Sequence, residues 1–101
     1  MRHIVLNGAD WKTCLDFYDA LLAALGPLGG HGHSVDAFID SMIYGGMLEA
    51  EPPYEVCVRS VGDPGVRADV LELSRYIAEA RAWRRANYGD DVDVAITLLH
   101  E

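Results

Sequence analysis

Tyr54-Glu-Val-Cys-Val-Arg-Ser-Val61 is followed by Gly62-Asp-Pro-Gly65, by a helical pattern over residues 67–87, and by Val92-Asp-Val-Ala-Ile-Thr-Leu-Leu99. Val56, Val58 and Val61 are β-formers in a short run bounded by turn chemistry, which predicts a strand over residues 54–61. Within residues 67–87, Val70, Leu73, Ile77 and Ala80 recur at helical spacing, with Tyr76 and Trp83 alongside, and predict a long helix with a core stripe. Gly89 and two aspartates lead into residues 92–99, which read as a buried strand. Two strands joined through a helix return in the same direction, so the pair is parallel and the fold is α/β.

Toward the N-terminus, His3-Ile-Val-Leu6 is a short strand closed by the turn dipeptide Asn7-Gly8. Asp10 is placed to cap the next segment, in which Cys14, Phe17, Tyr18, Leu21, Leu22 and Leu25 recur at helical spacing. Gly26-Pro27 ends that helix. Residues 28–33 form a loop rich in Gly and His. Ser34 then stands where an N-cap belongs, and Val35, Phe38, Ile39 and Met42 follow the i, i+3, i+4, i+7 pattern of a buried face. Tyr44-Gly45-Gly46 stops this second helix, and residues 47–53 are a loop with two acidic residues and two prolines. The order strand, helix, helix, strand, helix, strand predicts one two-layer domain over residues 1–101. It has a three-stranded, mostly parallel sheet and three to four helices, the fourth a single turn within the loops.

Half of the 101 residues are hydrophobic, enough for a small core. No apolar run reaches the roughly 18 residues of a membrane span, and the N-terminal apolar stretch is too short for a secretory signal, so a cytoplasmic protein is expected. Cys14 and Cys57 both lie on apolar runs and read as buried thiols in a reducing compartment; no CxxC spacing points to a disulfide or a metal pair. The net charge of −8 argues against nucleic acid as a direct ligand. Its distribution is uneven. No Lys or Arg occurs from Thr13 to Val58, a stretch carrying Asp16, Asp19, Asp36, Asp40, Glu49, Glu51 and Glu55, whereas Arg59, Arg67, Arg75, Arg81, Arg84 and Arg85 crowd into the second half. One side of the molecule is thus expected to present an acidic field, which speeds association with a basic partner.

Signatures of catalysis are absent from the sequence. Gly29-Gly30-His31-Gly32 lacks the Lys-Ser/Thr of a phosphate loop, there is no GxSxG elbow, and neither Cys stands beside a His along the chain. His31 and His33 with Asp36 nearby suggest zinc, but no third ligand is evident, so no metal and no cofactor are expected. Arg81, Arg84 and Arg85 read as a solvated helix face. An enzyme using Asp36 and Asp40 as a metal or acid–base pair would need a third ligand or a nucleophile that the sequence does not supply.

The informative segment is His31-Gly-His-Ser-Val-Asp-Ala-Phe-Ile-Asp40. On a helix starting near Ser34, Asp36 and Asp40 lie one above the other, off the apolar face. Two like charges at this spacing cost a helix about 0.2–0.5 kcal/mol. Asp36 gains from the helix dipole in the first turn and Asp40 gains less. Such a local defect often marks function.

Gly32-His-Ser-Val-Asp36-Ala-Phe-Ile-Asp40 resembles the signature of the barstar family of ribonuclease inhibitors: a glycine, one residue, a polar residue, an apolar residue, then Asp-Ala-Leu-Trp-Asp. Leu6-Asn7-Gly8 resembles the end of that family's first strand, and Asp16-Phe17-Tyr18 with Leu21 and Leu25 its first helix. Ile77-Ala78-Glu79-Ala80 resembles its last helix, and residues 92–99 its C-terminal strand. The resemblance implies a barstar-like fold. It also implies a non-enzymatic, cytoplasmic inhibitor that forms a one-to-one complex with a secreted microbial guanyl-preferring ribonuclease. Asp40 would occupy the place of the RNA phosphate, held by charge-assisted hydrogen bonds from the ribonuclease's cationic groups. Asp36 and Glu79 would meet other cations around that pocket, with Gly30, His31, Gly32, His33, Ser34 and Ile39 completing the partner surface and His31 stacking on a base-binding loop. The sequence departs from the family pattern in having Gly30 and His31 for an aromatic pair, Ser34 for Asn, and Ile39 for Trp. Loss of those aromatic surfaces favours the alternative of an immunity protein or antitoxin that neutralises a different delivered toxin.

Overall fold

A computed structural model describes residues 1–45 and 47–99. Its elements are β1 (Arg2–Asn7), α1 (Cys14–Leu25), α2 (Val35–Ile39), β2 (Tyr54–Arg59), α3 (Pro64–Tyr88) and β3 (Val94–Leu98), with a π-helical turn, Asp40–Tyr44, continuing α2. The sheet order is β1-β2-β3, and both pairings are parallel. Ile4, Val56 and Ile96 share one register row, and Leu6, Val58 and Leu98 another. These rows point to the same side and are buried in a single core with Phe17, Leu21, Phe38, Val70, Leu73 and Ile77 of the helices. Alternation turns His3, Val5, Glu55, Cys57, Ala95 and Thr97 to the reverse side, where Val5 is 59% exposed. The helices form one layer and the sheet the other.

Local chemistry fixes the element ends. Thr13 caps α1, not Asp10: its hydroxyl accepts the Asp16 N–H at 3.3 Å while Asp16 accepts the Thr13 N–H at 3.1 Å, a reciprocal capping box. Gly26 closes α1 in the left-handed region, φ 72°. The following residues pair back on the 47–50 segment, with an isolated antiparallel bridge from Pro27 to Leu48. β2 ends at Arg59, two residues short of expectation, because Ser60 adopts φ 64° and breaks the extended run. Val61 is still buried.

The helix α3 begins three residues earlier than the sequence pattern suggested. Asp63 is its N-cap, accepting the Val66 N–H at 3.0 Å, and Pro64 and Gly65, read as turn residues, lie in its first turn. Trp83 and Tyr76, alongside the core stripe, are both exposed. Trp83 is 51% exposed and meets Tyr88 edge-on at 5.4 Å. Tyr76 is exposed beneath the Arg75 guanidinium. No fourth helix occurs in the loops among the described residues. Instead the second helix changes its winding at Asp40 and stops at Gly45; Gly46, expected to share in that stop, lies outside the described residues. Both cysteines are free thiols, Cys57 buried and Cys14 half-buried.

Candidate functional site

Ser34 caps α2 as its position suggested, its hydroxyl accepting the Ala37 N–H at 3.1 Å. This cap places Asp36 in the first turn, where the helix dipole favours a carboxylate, and Asp40 one turn later. The Asp40 backbone is helical, but its carbonyl accepts the N–H of Gly45, five residues on, so Asp40 opens the π-helical turn. Single π turns recur at functional sites because the extra residue re-aims the side chains around it. Asp36 and Asp40 are both exposed. Among the described residues, no hydrogen bond or ion pair engages either carboxylate side chain.

The loop before α2 is anchored inward. His31 is half-buried. Its ring lies 5.1 Å from that of Phe38, its Nδ1 meets the Gly32 carbonyl at 2.6 Å, and its Nε2 meets the Ser41 hydroxyl at 2.8 Å. Ser41 is itself buried at the start of the π turn and donates to the Phe38 carbonyl. His31 is therefore an internal strut between loop and helix, not a ring presented for stacking. His33 pairs with Asp19 of α1, Nε2 to Oδ1 2.9 Å. His31 thus engages both ring nitrogens within the fold and His33 its Nε2, and the two form no metal-ligating group with a third residue among the described residues. Gly30 and Gly32 are exposed, and Ile39 is partly buried against the core. Neither His31 nor Ile39 therefore presents a large apolar surface beside the two carboxylates, whereas Tyr44, at the end of the π turn, is 46% exposed.

Glu79 is exposed on α3. It lies two residues, about 200° of helical rotation, beyond the buried Ile77, and so faces away from the core. The side of α3 nearer the π turn carries Arg84, which donates to the Ile43 carbonyl and lies over the Tyr44 ring at 5.7 Å.

Of the C-terminal arginines Arg85 is solvated as expected, whereas Arg81 and Arg84 are partly buried. Arg81 clamps Asp91 with two 2.8 Å bonds and reaches Asp93 at 3.2 Å, Arg84 grips Asp90, and Arg85 meets Asp91 at 3.3 Å. The Arg81 guanidinium holds the Asp91 carboxyl far below its ordinary value. These cations neutralise the α3–β3 connection, whereas the free carboxylates of Asp36 and Asp40 stay uncompensated. The uneven charge of the sequence is thus sharpened around α2.

Two features escaped the sequence reading. The first is a cleft of about 460 Å³ beside the π turn, lined among others by Met42, Tyr44, Leu48, Tyr54 and Arg84. The Tyr54 hydroxyl there is buried without a hydrogen-bond partner among the described residues. The second is that parallel pairing of β1 and β2 brings His3 Nδ1 to 4.0 Å from Cys57 Sγ, across 54 residues of sequence. The alternation of each strand turns both residues to the reverse side of the sheet, but only the pairing of β1 with β2 makes them neighbours. Compared with known proteins, the chain matches no protein-family model and no curated sequence.

Proposed function

We propose that this protein is a barstar-like inhibitor that blocks the active site of a secreted microbial guanyl-preferring ribonuclease in a one-to-one complex, acting in the cytoplasm of the producing cell. The observation that carries the reading is Asp40: an exposed carboxylate with no hydrogen-bond or ion-pair partner among the described residues, at the start of a π turn, closing the segment that resembles the family signature. A carboxylate held ready and uncompensated matches the Arg, Lys and His groups with which a ribonuclease holds a phosphodiester. It is not a substrate, so it occupies the site and blocks it. Asp36, one turn earlier, extends the same charge, and Glu79 contributes from α3. The strand and helix order, with three parallel strands, supports the same reading.

A second reading, an immunity protein or antitoxin against a different toxin, is favoured by one specific feature. Ile39 and His31 are both turned inward, so neither of them supplies an exposed anchor beside Asp40. The deciding experiment is titration of the protein into a panel of small secreted microbial ribonucleases, following RNA cleavage, with Asp40→Ala in parallel. Stoichiometric inhibition by the parent and a large loss in the variant support the ribonuclease reading. Equal inhibition by both removes Asp40 from its role. Inhibition of no member of the panel turns the search to toxins encoded beside the gene.

A further inference from the structure

The reverse side of the sheet carries a set of side chains that the inhibitor reading does not use. Glu55 and Cys57 are two residues apart on β2, so the pleat turns both to that side. His3 on β1 is the register partner of Glu55. His3 Nδ1 lies 3.4 Å from Glu55 Oε1, Cys57 Sγ lies 3.4 Å from the same oxygen, and Nδ1 to Sγ is 4.0 Å. One nitrogen, one oxygen and one sulfur therefore form a small triangle on two rigid strands. The other Glu55 oxygen, Oε2, accepts the Thr97 hydroxyl of β3 at 2.9 Å, which leaves Oε1 aimed at the other two.

A tetrahedral zinc ion with bonds of about 2.0–2.3 Å to such atoms separates its ligands by about 3.3–3.6 Å. Two edges of the triangle already fall in that range, and the third is about half an ångström long. A shift that small is available to the His3 side chain, which is 60% exposed at the sheet edge. The donor set selects the ion. A thiolate with an imidazole suits borderline and soft cations, whereas calcium and magnesium demand six or more oxygens. Thr97 supplies the outer hydrogen bond that orients a ligating carboxylate in built metal sites.

We propose that His3, Glu55 and Cys57 bind a divalent late transition metal of the zinc class, with Thr97 as the positioning residue and the fourth coordination position open to solvent. Binding replaces the hydrogen bond from Cys57 to Glu55: the thiol proton leaves to solvent and a metal–thiolate bond forms. The metal ties edge strand β1 to central strand β2 and so stabilises the fold. The site is on the sheet side opposite α2, and it stands or falls independently of the ribonuclease reading.

The test is titration of the reduced, full-length protein with Co²⁺, followed by absorbance, and then displacement with Zn²⁺. The expected result is saturation at one equivalent, with a thiolate-to-cobalt charge-transfer band and ligand-field bands of tetrahedral intensity. Cys14→Ser retains both. Cys57→Ser loses the charge-transfer band. His3→Ala and Glu55→Gln, substitutions at partly exposed positions that leave the core intact, each weaken binding about tenfold or more, and Thr97→Val weakens it by about 10–100-fold. Zn²⁺ in excess raises the melting temperature of the parent more than that of His3→Ala. Absence of the charge-transfer band, its loss in Cys14→Ser, or binding unchanged in both His3→Ala and Glu55→Gln overturns the proposal.

Discussion

The carbonyl of Asp40 accepts the N–H of Gly45 at 3.0 Å, one residue further along than a regular helix would allow. This bond closes the π turn and requires Gly45 at φ 80°, ψ 177°, a region that only glycine occupies without strain. A Cβ added there meets nothing within 4 Å, so the cost of a side chain is confined to the backbone. Gly45→Ala is expected to destabilise the protein by about 1–3 kcal/mol. Gly30→Ala, equally open but without the positive φ, is expected to be near neutral. Urea denaturation of the two variants checks this. Equal stability of both would show that the turn relaxes at no cost.

Asp36 and Asp40 repel one another on adjacent turns. Asp40→Asn is therefore expected to leave stability unchanged or raise it by about 0.2–0.5 kcal/mol. Under the inhibitor reading, the same substitution greatly weakens the ribonuclease complex. A variant that is at least as stable and yet no longer inhibits separates a functional carboxylate from a structural one. Thermal unfolding and inhibition measured on one preparation give both numbers, and a loss of stability in step with inhibition contradicts the assignment.

Tyr54 is 1% exposed, and its hydroxyl has no partner among the described residues. Burial raises the phenol from 10.0 to about 12. A raised acid contributes stability that is present below pH 10 and lost as pH climbs through 12. Tyr54→Phe is expected to raise stability near neutral pH by about 1 kcal/mol, because it removes an unsatisfied buried group. It is also expected to flatten the alkaline limb of the stability curve. Denaturation between pH 8 and about 12 checks both. A destabilised variant would mean that the hydroxyl has a bonding partner.

At the acid end the sign reverses. Arg81 holds Asp91 below its ordinary value of 3.8, and a depressed carboxyl contributes stability that is present above that value and lost as pH falls below it. Asp91→Asn is expected to lower stability at neutral pH and to make the acid limb shallower. Arg81 retains Asp93 as a partner, so the loss is partial. Melting temperatures below about pH 5 measure the slope, and an unaltered acid limb would show that other carboxyls dominate it.

Much of the fold was legible because its signals are local. The caps at Ser34 and Gly26 act within a few residues, and the alternation in β2 and the spacing of Val70, Leu73 and Ile77 are visible along the chain. The misread ends were also decided locally, by competing signals. Thr13 with Asp16 outcompeted Asp10 because the reciprocal pair satisfies two N–H groups. Asp63 with Pro64 begins a helix at residues that also carry turn chemistry.

By itself the sequence determined the class of fold, the parallel sense of the strands, and the placing of Asp36 and Asp40 off the apolar face of one helix. Each of these follows from periodicity and connection length, which the chain carries without reference to distant residues. Only the tertiary structure decided that β2 is the central strand, that His31 and Ile39 turn inward, that Arg81 and Arg84 grip Asp91 and Asp90, and that His3 meets Cys57. Such contacts join residues whose separation in sequence says nothing of their distance in space. They form only when burial of one core brings the strands and helices into a single register.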